Sequence, residues 1–195
     1  MTKKFTVLLL GAAVTLVGAV PAFAQDGRLT QESVKALYNK GIQMRDSSAE
    51  DYVKYLEENM MDDIKIVLDV EMQTDGVKGP RQTQTLNKRG MIESSKGGFN
   101  PNNQYDQEII SITISPDGQT ATIKDETDAK IFAELPGPSG QINLQMDQNV
   151  LCEIKMVNSG GGQPKLSDTA CNIDTEVVGD ATANQIMKSQ LQQAR

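Results

Sequence analysis

The sequence of 195 residues contains no histidine and no tryptophan. Without histidine, the chain cannot build the Ser-His-Asp or Cys-His arrangements that activate most nucleophilic enzymes. It also lacks the side chain that most often binds zinc, copper and iron. We therefore expect no metal site and no cofactor in the folded protein.

Basic residues are also in the minority. The chain has 19 lysines and arginines against 26 aspartates and glutamates, which gives a formal net charge of −7 at pH 7. An acidic protein of this kind repels phosphate backbones and anionic lipid surfaces. Nucleic acid is therefore excluded as the main partner.

The N-terminal segment has the pattern of a secretory signal peptide. Lys3-Lys4 precedes an uncharged apolar run over residues 5–20, and Ala22-Phe23-Ala24 places small residues where a signal peptidase reads them. The alternative is a membrane anchor, for which the run is short. We expect cleavage after Ala24, no membrane insertion afterwards, and a periplasmic or secreted protein. Cleavage removes two lysines and no acidic residue, so the formal charge becomes −9.

The remaining chain is long enough for one domain with its own core. Apolar residues at helical spacing predict helices over residues 31–44, from residue 49 onward and over residues 88–96, with Thr30 and Asn87 as N-caps. We assign residues 25–178 to a single α+β domain and residues 179–195 to a polar C-terminal tail or helix.

Strands dominate the second half of the sequence. From Asp63 the apolar residues alternate with polar ones, which is typical of a half-buried strand. Similar patterns predict strands at residues 81–86, 110–114, from 120 onward, 143–157 and 165–177. The acidic run Asp125–Asp128 is interpreted as a solvated turn, and residues 135–140 as a loop.

Both cysteines of the chain lie in the last two predicted strands. In an antiparallel hairpin centred on the glycines at 161 and 162, Cys152 faces Cys171, and Val150 faces Ile173. A disulfide joins directly opposed residues when their Cα atoms are within reach. Free thiols and a redox pair are the alternatives, but the spacing is not Cys-x-x-Cys. Two thiolates are too few ligands for a metal site.

The order of elements resembles the nuclear transport factor 2-like superfamily, which includes polyketide cyclases and ketosteroid isomerases. The segments SAEDYVKYLEENMMDDIKIVLDVEM (residues 48–72) and TLNKRGMIESSKGG (residues 85–98) are similar to its second helix with the first strand, and to its third helix. The resemblance spans residues 29–177. It implies N-terminal helices packed on a curved, mainly antiparallel sheet that forms a cone with an interior pocket.

Enzymes of that superfamily often place an aspartate or histidine deep in the cone, with a tyrosine as hydrogen-bond donor. With histidine absent, the resemblance leaves an Asp–Tyr pair, for which Asp63 and Asp69 are candidate bases. No residue is assigned a catalytic role. Tyrosines on helical apolar faces are also common core residues. The candidate pocket lining consists of Tyr38, Tyr52, Tyr55, Met91 and Tyr105.

We therefore expect an exported, non-catalytic binding or scaffold domain. Its partner would be a small apolar molecule in the cone or an envelope protein on the sheet, and a homodimer is compatible with either. The alternative is a small isomerase- or cyclase-type enzyme that uses an Asp–Tyr pair. A deep pocket with a buried carboxylate within hydrogen-bonding reach of a tyrosine would favour the enzyme. A cone filled by isoleucine, leucine and methionine would favour the binding or scaffold domain.

Overall fold

Three polar side chains set where the first helices begin. In the computed structural model, which describes residues 27–137, 140–179 and 181–193, the side chains of Thr30, Ser48 and Asn87 accept hydrogen bonds from backbone amides three residues further on. Each cap satisfies a donor that the first helical turn leaves free. The helices are α1 (Gln31–Ser47), α2 (Ala49–Asn59), α3 (Lys88–Gly98) and α4 (Ala181–Gln193).

One mixed sheet contains all seven strands, in the order β2-β1-β7-β6-β5-β4, with β3 also paired to β1. The β1–β7 pair is parallel and the other pairs are antiparallel. The sheet is strongly curled into a half-barrel. The strands are β1 (Met60–Thr74), β2 (Val77–Lys78), β3 (Gln82–Leu86), β4 (Gln104–Ile114), β5 (Thr120–Gly137), β6 (Gly140–Asn158) and β7 (Pro164–Gly179).

The predicted fold class, helices packed on a curved and mainly antiparallel sheet, is confirmed. The predicted signal peptide, residues 1–24, lies outside the described residues. Within the part of the chain that the structure describes, no helix is long and apolar enough to cross a membrane.

Several strand boundaries differ from the sequence prediction, and residues 135–137 of the predicted loop belong to β5. β4 begins at Gln104 rather than near Ile110, and β5 continues through the acidic run to Gly137. The interpretation of Asp125–Asp128 as a solvated turn is therefore wrong. Alternate residues of β5 are buried through this run, so Asp125 and Thr127 lie on the same face as Ile123. We call this buried side of the sheet the inner face.

The core consists of three clusters on the inner face. The first joins the N-terminal segment and α1 to β5 and β6, the second lies beneath α2 and α3, and the third lies beneath α4. Their buried members are Leu29, Val34, Tyr38, Ala121, Ile123 and Met156 in the first, Tyr55, Leu56, Met60, Ile64 and Ile66 in the second, and Leu144, Val177, Ala183 and Met187 in the third.

The C-terminal segment is a helix that contributes to this core. Ala183, Met187 and Leu191 recur every fourth residue and are all buried. Gly179 allows the approach, because a Cβ atom there would lie 2.6 Å from the Cβ atom of Ala183. The tail thus closes the far end of the inner face.

The predicted hairpin register is also confirmed. Cys152 pairs with Cys171 and Val150 with Ile173 across β6 and β7, and a disulfide joins the two cysteines. A register shift follows Lys155, close to the turn.

The described chain begins with a short segment, residues 27–29, that crosses two turns, and we call this segment the strap. The carbonyl of Gly27 accepts a hydrogen bond from the side-chain amide of Asn158 at 2.6 Å, and the amide of Leu29 donates to the carbonyl of Gly118 at 2.8 Å. Gly118 has φ +67°, and a Cβ atom there would lie 2.6 Å from Arg28. The strap therefore fixes the chain immediately after residue 26.

Candidate functional site

A buried carboxylate lies in the middle of β5. Asp125 is 2% exposed on the inner face, in register with Ile109 on one side and Cys152 on the other. Its Oδ2 accepts a hydrogen bond of 2.5 Å from the hydroxyl of Tyr38, which α1 brings over the sheet. Burial of a carboxylate is costly unless donors replace its water, and Tyr38 supplies one of them.

Gln107 extends this contact toward the surface. Its Nε2 donates to Asp125 Oδ2 at 2.6 Å and also to the hydroxyl of Tyr38. Its Oε1 accepts a hydrogen bond of 3.0 Å from Nη1 of Arg45. Because the guanidinium only donates and the carboxylate accepts, these two neighbours fix the orientation of the amide. We call Arg45, Gln107, Tyr38 and Asp125 the polar chain.

Arg45 forms the outer end of the polar chain. It lies in the last turn of α1, and its guanidinium carbon is 3.9 Å from the centre of the Tyr105 ring. Its Nε also contacts the exposed carboxylate of Asp46 at 3.1 Å. The arginine side chain is 19% exposed, so the cation–π contact with Tyr105 is largely removed from water.

The tyrosines near Arg45 are held in the protonated form. Burial raises the pKa of Tyr38 far above its ordinary value, and the hydrogen bond to Asp125 raises it further. Burial also raises the pKa of Tyr52, which the positive charge of Arg45 partly offsets. Both phenols are therefore hydrogen-bond donors at neutral pH, and Tyr52 lies within electrostatic reach of Arg45.

One oxygen of the buried carboxylate is not satisfied. Asp125 Oδ1 has no hydrogen-bond partner among the described residues. A buried acceptor without a donor costs about 1–3 kcal/mol. This atom is the acceptor that remains free in the polar chain.

A row of apolar side chains leads away from the polar chain along the inner face. The strand registers place Gln107, Thr127, Val150, Ile173 and Val70 side by side across β4, β5, β6, β7 and β1. The last three are half-buried, and none of them is among the members of the three core clusters or the side chains packed against those. We call Val150, Ile173 and Val70 the apolar row.

The candidate pocket residues lie in two places. Tyr38 belongs to the polar chain and Tyr105 contacts it, whereas Tyr52 packs against the second cluster, with its ring stacked on that of Tyr55 at 6.3 Å. Tyr55 belongs to the second cluster, where its hydroxyl donates to the carbonyl of Leu37 at 3.1 Å. Met91 packs against that cluster. Their role as pocket lining stays a prediction.

Neither aspartate considered as a base shares the inner face with Asp125. Asp63 is exposed. Asp69 lies on the opposite, outer face of the sheet, where it accepts a hydrogen bond of 3.0 Å from Thr83. Sequence reasoning missed Asp125, Gln107 and Arg45. The signal for Asp125 was the alternation of Ile123, Asp125 and Thr127 within one strand.

The outer face of the sheet is mixed in character. Ile110 and Leu151 are 58% and 43% exposed. A hollow of about 670 Å³ on this face is lined largely by acidic and amide side chains, among them Asp106, Asp128 and Asp174. Among the described residues, no group of three or more Asp, Glu or Cys side chains is arranged to hold a metal ion. A protein partner on this face stays a prediction.

Similar solved structures include several described as nuclear transport factor 2-like proteins of unknown function. One from Silicibacter pomeroyi is 12% identical, and the likeness covers 72% of this chain and 92% of that chain with a TM-score of 0.45. One from Shewanella baltica is 13% identical over 72% of this chain and 90% of that chain, with a TM-score of 0.47.

A hexachlorocyclohexane dehydrochlorinase is 9% identical over 76% of this chain and 88% of that chain, with a TM-score of 0.45. No protein-family model and no curated protein matches the sequence. Likeness at this level indicates neither a substrate nor an activity.

The fold itself agrees with the resemblance inferred from the sequence. Two helices lead into a long strand and two short strands that each pair with it, a third helix follows, and four long antiparallel strands complete the curled sheet. This α+β, cone-like arrangement is the one that the resemblance to the nuclear transport factor 2-like superfamily implied.

Proposed function

We propose that this chain is an exported, non-catalytic binding protein that holds a small, mainly apolar molecule against the inner face of its sheet. The observation that carries the proposal is the apolar row, which is half-buried and lies outside the three core clusters. Partly exposed apolar side chains on a concave face gain free energy when a ligand removes their remaining exposed surface from water.

The dimensions of the row set the size of the ligand. Neighbouring strands lie ~4.8 Å apart, so the three steps from Thr127 to Val70 span roughly 14 Å. The row is bounded by Gln107 at one end and by Gln82, the partner of Val70 on β3, at the other. A ligand with one apolar body and a polar end fits this pattern.

The surroundings of Asp125 favour binding over catalysis. Asp125 is 2% exposed, and Tyr38 and Gln107 both donate to its Oδ2 atom. A general base must reach the proton that it removes. In this structure Tyr38 and Gln107 lie against Asp125, so the polar chain supports the shape of the inner face.

Adjacent residues on β6 provide a matched test. Val150 lies on the inner face, whereas Leu151 is 43% exposed on the outer face. Fluorescence titration with the neutral apolar probe N-phenyl-1-naphthylamine should show saturable binding. Val150→Gln should weaken that binding at least tenfold, and Leu151→Gln should leave it unchanged, with thermal melting as the check on folding. Absence of saturable binding, or equal effects of both changes, would overturn the proposal.

The enzyme alternative is favoured by one observation, the hydrogen bond between Tyr38 and Asp125 together with the unpartnered Oδ1. An Asp–Tyr pair of this kind removes a proton next to a carbonyl group when substrate reaches it. NMR can follow deuterium exchange of the α-protons of small cyclic ketones. Exchange that the protein accelerates, and that Asp125→Asn abolishes, would support the enzyme in place of the binding protein.

A further inference from the structure

We infer that the ligand of the proposed binding site carries a carboxylate group, which Arg45 binds at the β4 end of the apolar row. This inference rests on the proposed function and names the chemical class of the ligand: a monocarboxylic acid with an apolar body. It depends on three features of the structure, namely the free donors of Arg45, the way its guanidinium is held, and its position relative to the row.

Arg45 has more hydrogen-bond donors than its contacts in the described chain use. A guanidinium carries five N–H groups in a planar fork, and carboxylates pair with two of them at once. In the described chain one N–H contacts Asp46 and one contacts Gln107. Asp46 is 54% exposed, so this ion pair contributes little in water. The remaining N–H groups are available to another acceptor.

The guanidinium is also held in place. The Tyr105 ring lies against the face of the guanidinium at 3.9 Å, and the Oε1 atom of Gln107 accepts a hydrogen bond from its Nη1 atom. The side chain is 19% exposed, so its charge is partly removed from water yet open to a ligand. A carboxylate that meets a fixed, partly desolvated guanidinium loses less entropy than one that must order a mobile side chain.

Arg45 stands at one end of the apolar row. It donates to Gln107, which is in register with Thr127 and therefore begins the row that continues to Val150. A carboxylate at Arg45 would thus place the apolar body of the ligand along the roughly 14 Å from Thr127 across the apolar row to Val70.

Two competing ligand chemistries fit less well. A cationic head group would have to meet Asp125, which is 2% exposed and whose Oδ1 is buried. A neutral ligand would give the partly desolvated guanidinium of Arg45 no ionic partner. The formal charge of −7 repels anions at long range, so the affinity for a carboxylate has to come from Arg45 at short range.

Calorimetric titration with decanoate and decanol separates the possibilities, because the two probes share an apolar chain and differ in charge. The wild-type protein should bind decanoate at least tenfold more tightly than decanol. Arg45→Gln should remove that preference and leave decanol binding unchanged. Lys40→Gln removes an exposed positive charge from the same helix and serves as the control, with no expected change.

The outcomes distinguish the inference from the proposed function. If decanol and decanoate bind equally and Arg45→Gln changes neither affinity, the carboxylate inference is wrong and the apolar binding site stands. If neither probe binds nor displaces N-phenyl-1-naphthylamine, the proposed function is wrong as well. Equal losses of decanoate affinity in Arg45→Gln and Lys40→Gln would indicate that the positive charges attract decanoate at long range and that Arg45 forms no specific site. This result would also overturn the inference.

Discussion

The hydroxyl of Tyr38 makes the burial of Asp125 possible, because it donates directly to a carboxylate that is 2% exposed. Tyr38→Phe keeps the ring in the first cluster and removes the hydroxyl that donates to Asp125 and accepts from Gln107. We expect a loss of about 1–3 kcal/mol in the free energy of unfolding, measured by urea denaturation.

Tyr105→Phe is the matched control for this change. The Tyr105 hydroxyl is on an exposed side chain and accepts only a hydrogen bond of 3.3 Å from Asn103. Its removal should change stability by less than about 0.5 kcal/mol. Equal costs for the two variants would mean that the contact between Tyr38 and Asp125 adds nothing to stability.

Three tyrosines make the fold sensitive to alkali. The pKa values of Tyr38, Tyr52 and Tyr55 are raised above 10.0, in each case chiefly by burial. A raised folded-state pKa leaves stability unchanged below the unfolded value, and stability is lost as the pH rises above it.

We therefore expect the free energy of unfolding to be insensitive to these tyrosines up to about pH 10 and to decline above it. Urea denaturation at a series of pH values measures the decline, and absorbance at 295 nm follows tyrosine ionisation. Tyr38→Phe should make the decline shallower. A decline of the same slope in wild type and variant would contradict the assignment to Tyr38.

Among the elements, the β6–β7 hairpin depends on its disulfide. The bond joins residues 19 apart in sequence. In the chain-entropy model a loop of this length contributes roughly 3 kcal/mol. Cys152→Ser and Cys171→Ser should each lower the melting temperature by a similar amount, and the double variant should lose little more than either single variant. Additive losses would show that the two cysteines do not act as partners.

Helix α4 offers a second test at this scale. Met187 is 8% exposed and belongs to the third cluster with Leu144 and Val177. Met187→Ala should cost about 2–5 kcal/mol, because it removes buried methylene groups and leaves a cavity. Gln185→Ala, an exposed position on the same helix, is the control. If Met187→Ala costs no more than the control in urea denaturation, α4 is not part of the cooperative fold.

At the scale of the whole molecule, export is the property to test first. The described chain is fixed from Gly27 by its hydrogen bond to Asn158, two residues after the predicted mature start at Gln25. N-terminal sequencing of protein from the envelope fraction should give Gln25. Stable protein that still begins with Met1 would contradict the predicted cleavage.

Local features of this fold were predictable because their causes lie within a few residues. A helix cap needs only a polar side chain three residues before its amide, as Thr30 and Ser33 show. The alternation of apolar and polar residues predicted which side of β1 faces inward. One hairpin register placed both the cysteines and the apolar residues of β6 and β7 opposite each other.

Longer-range features were not predictable in this way. The parallel pairing of β1 with β7 joins segments about a hundred residues apart, such as Leu68 and Cys171. The burial of Met187 depends on where α4 crosses the sheet. No local sequence pattern indicates which strand, or which face of the sheet, a helix or strand distant in sequence will pack against.

The sequence by itself thus determined the fold class and the disulfide, because residue periodicity and hairpin symmetry are local, whereas export stays a prediction. Only the tertiary structure decided the site. Tyr38 and Asp125 are 87 residues apart, and Gln107 joins them to Arg45 from a third segment. They meet because α1 packs across β4 and β5 at one particular position along these strands. That position is set by the packing of the whole first cluster, which no single stretch of the chain encodes.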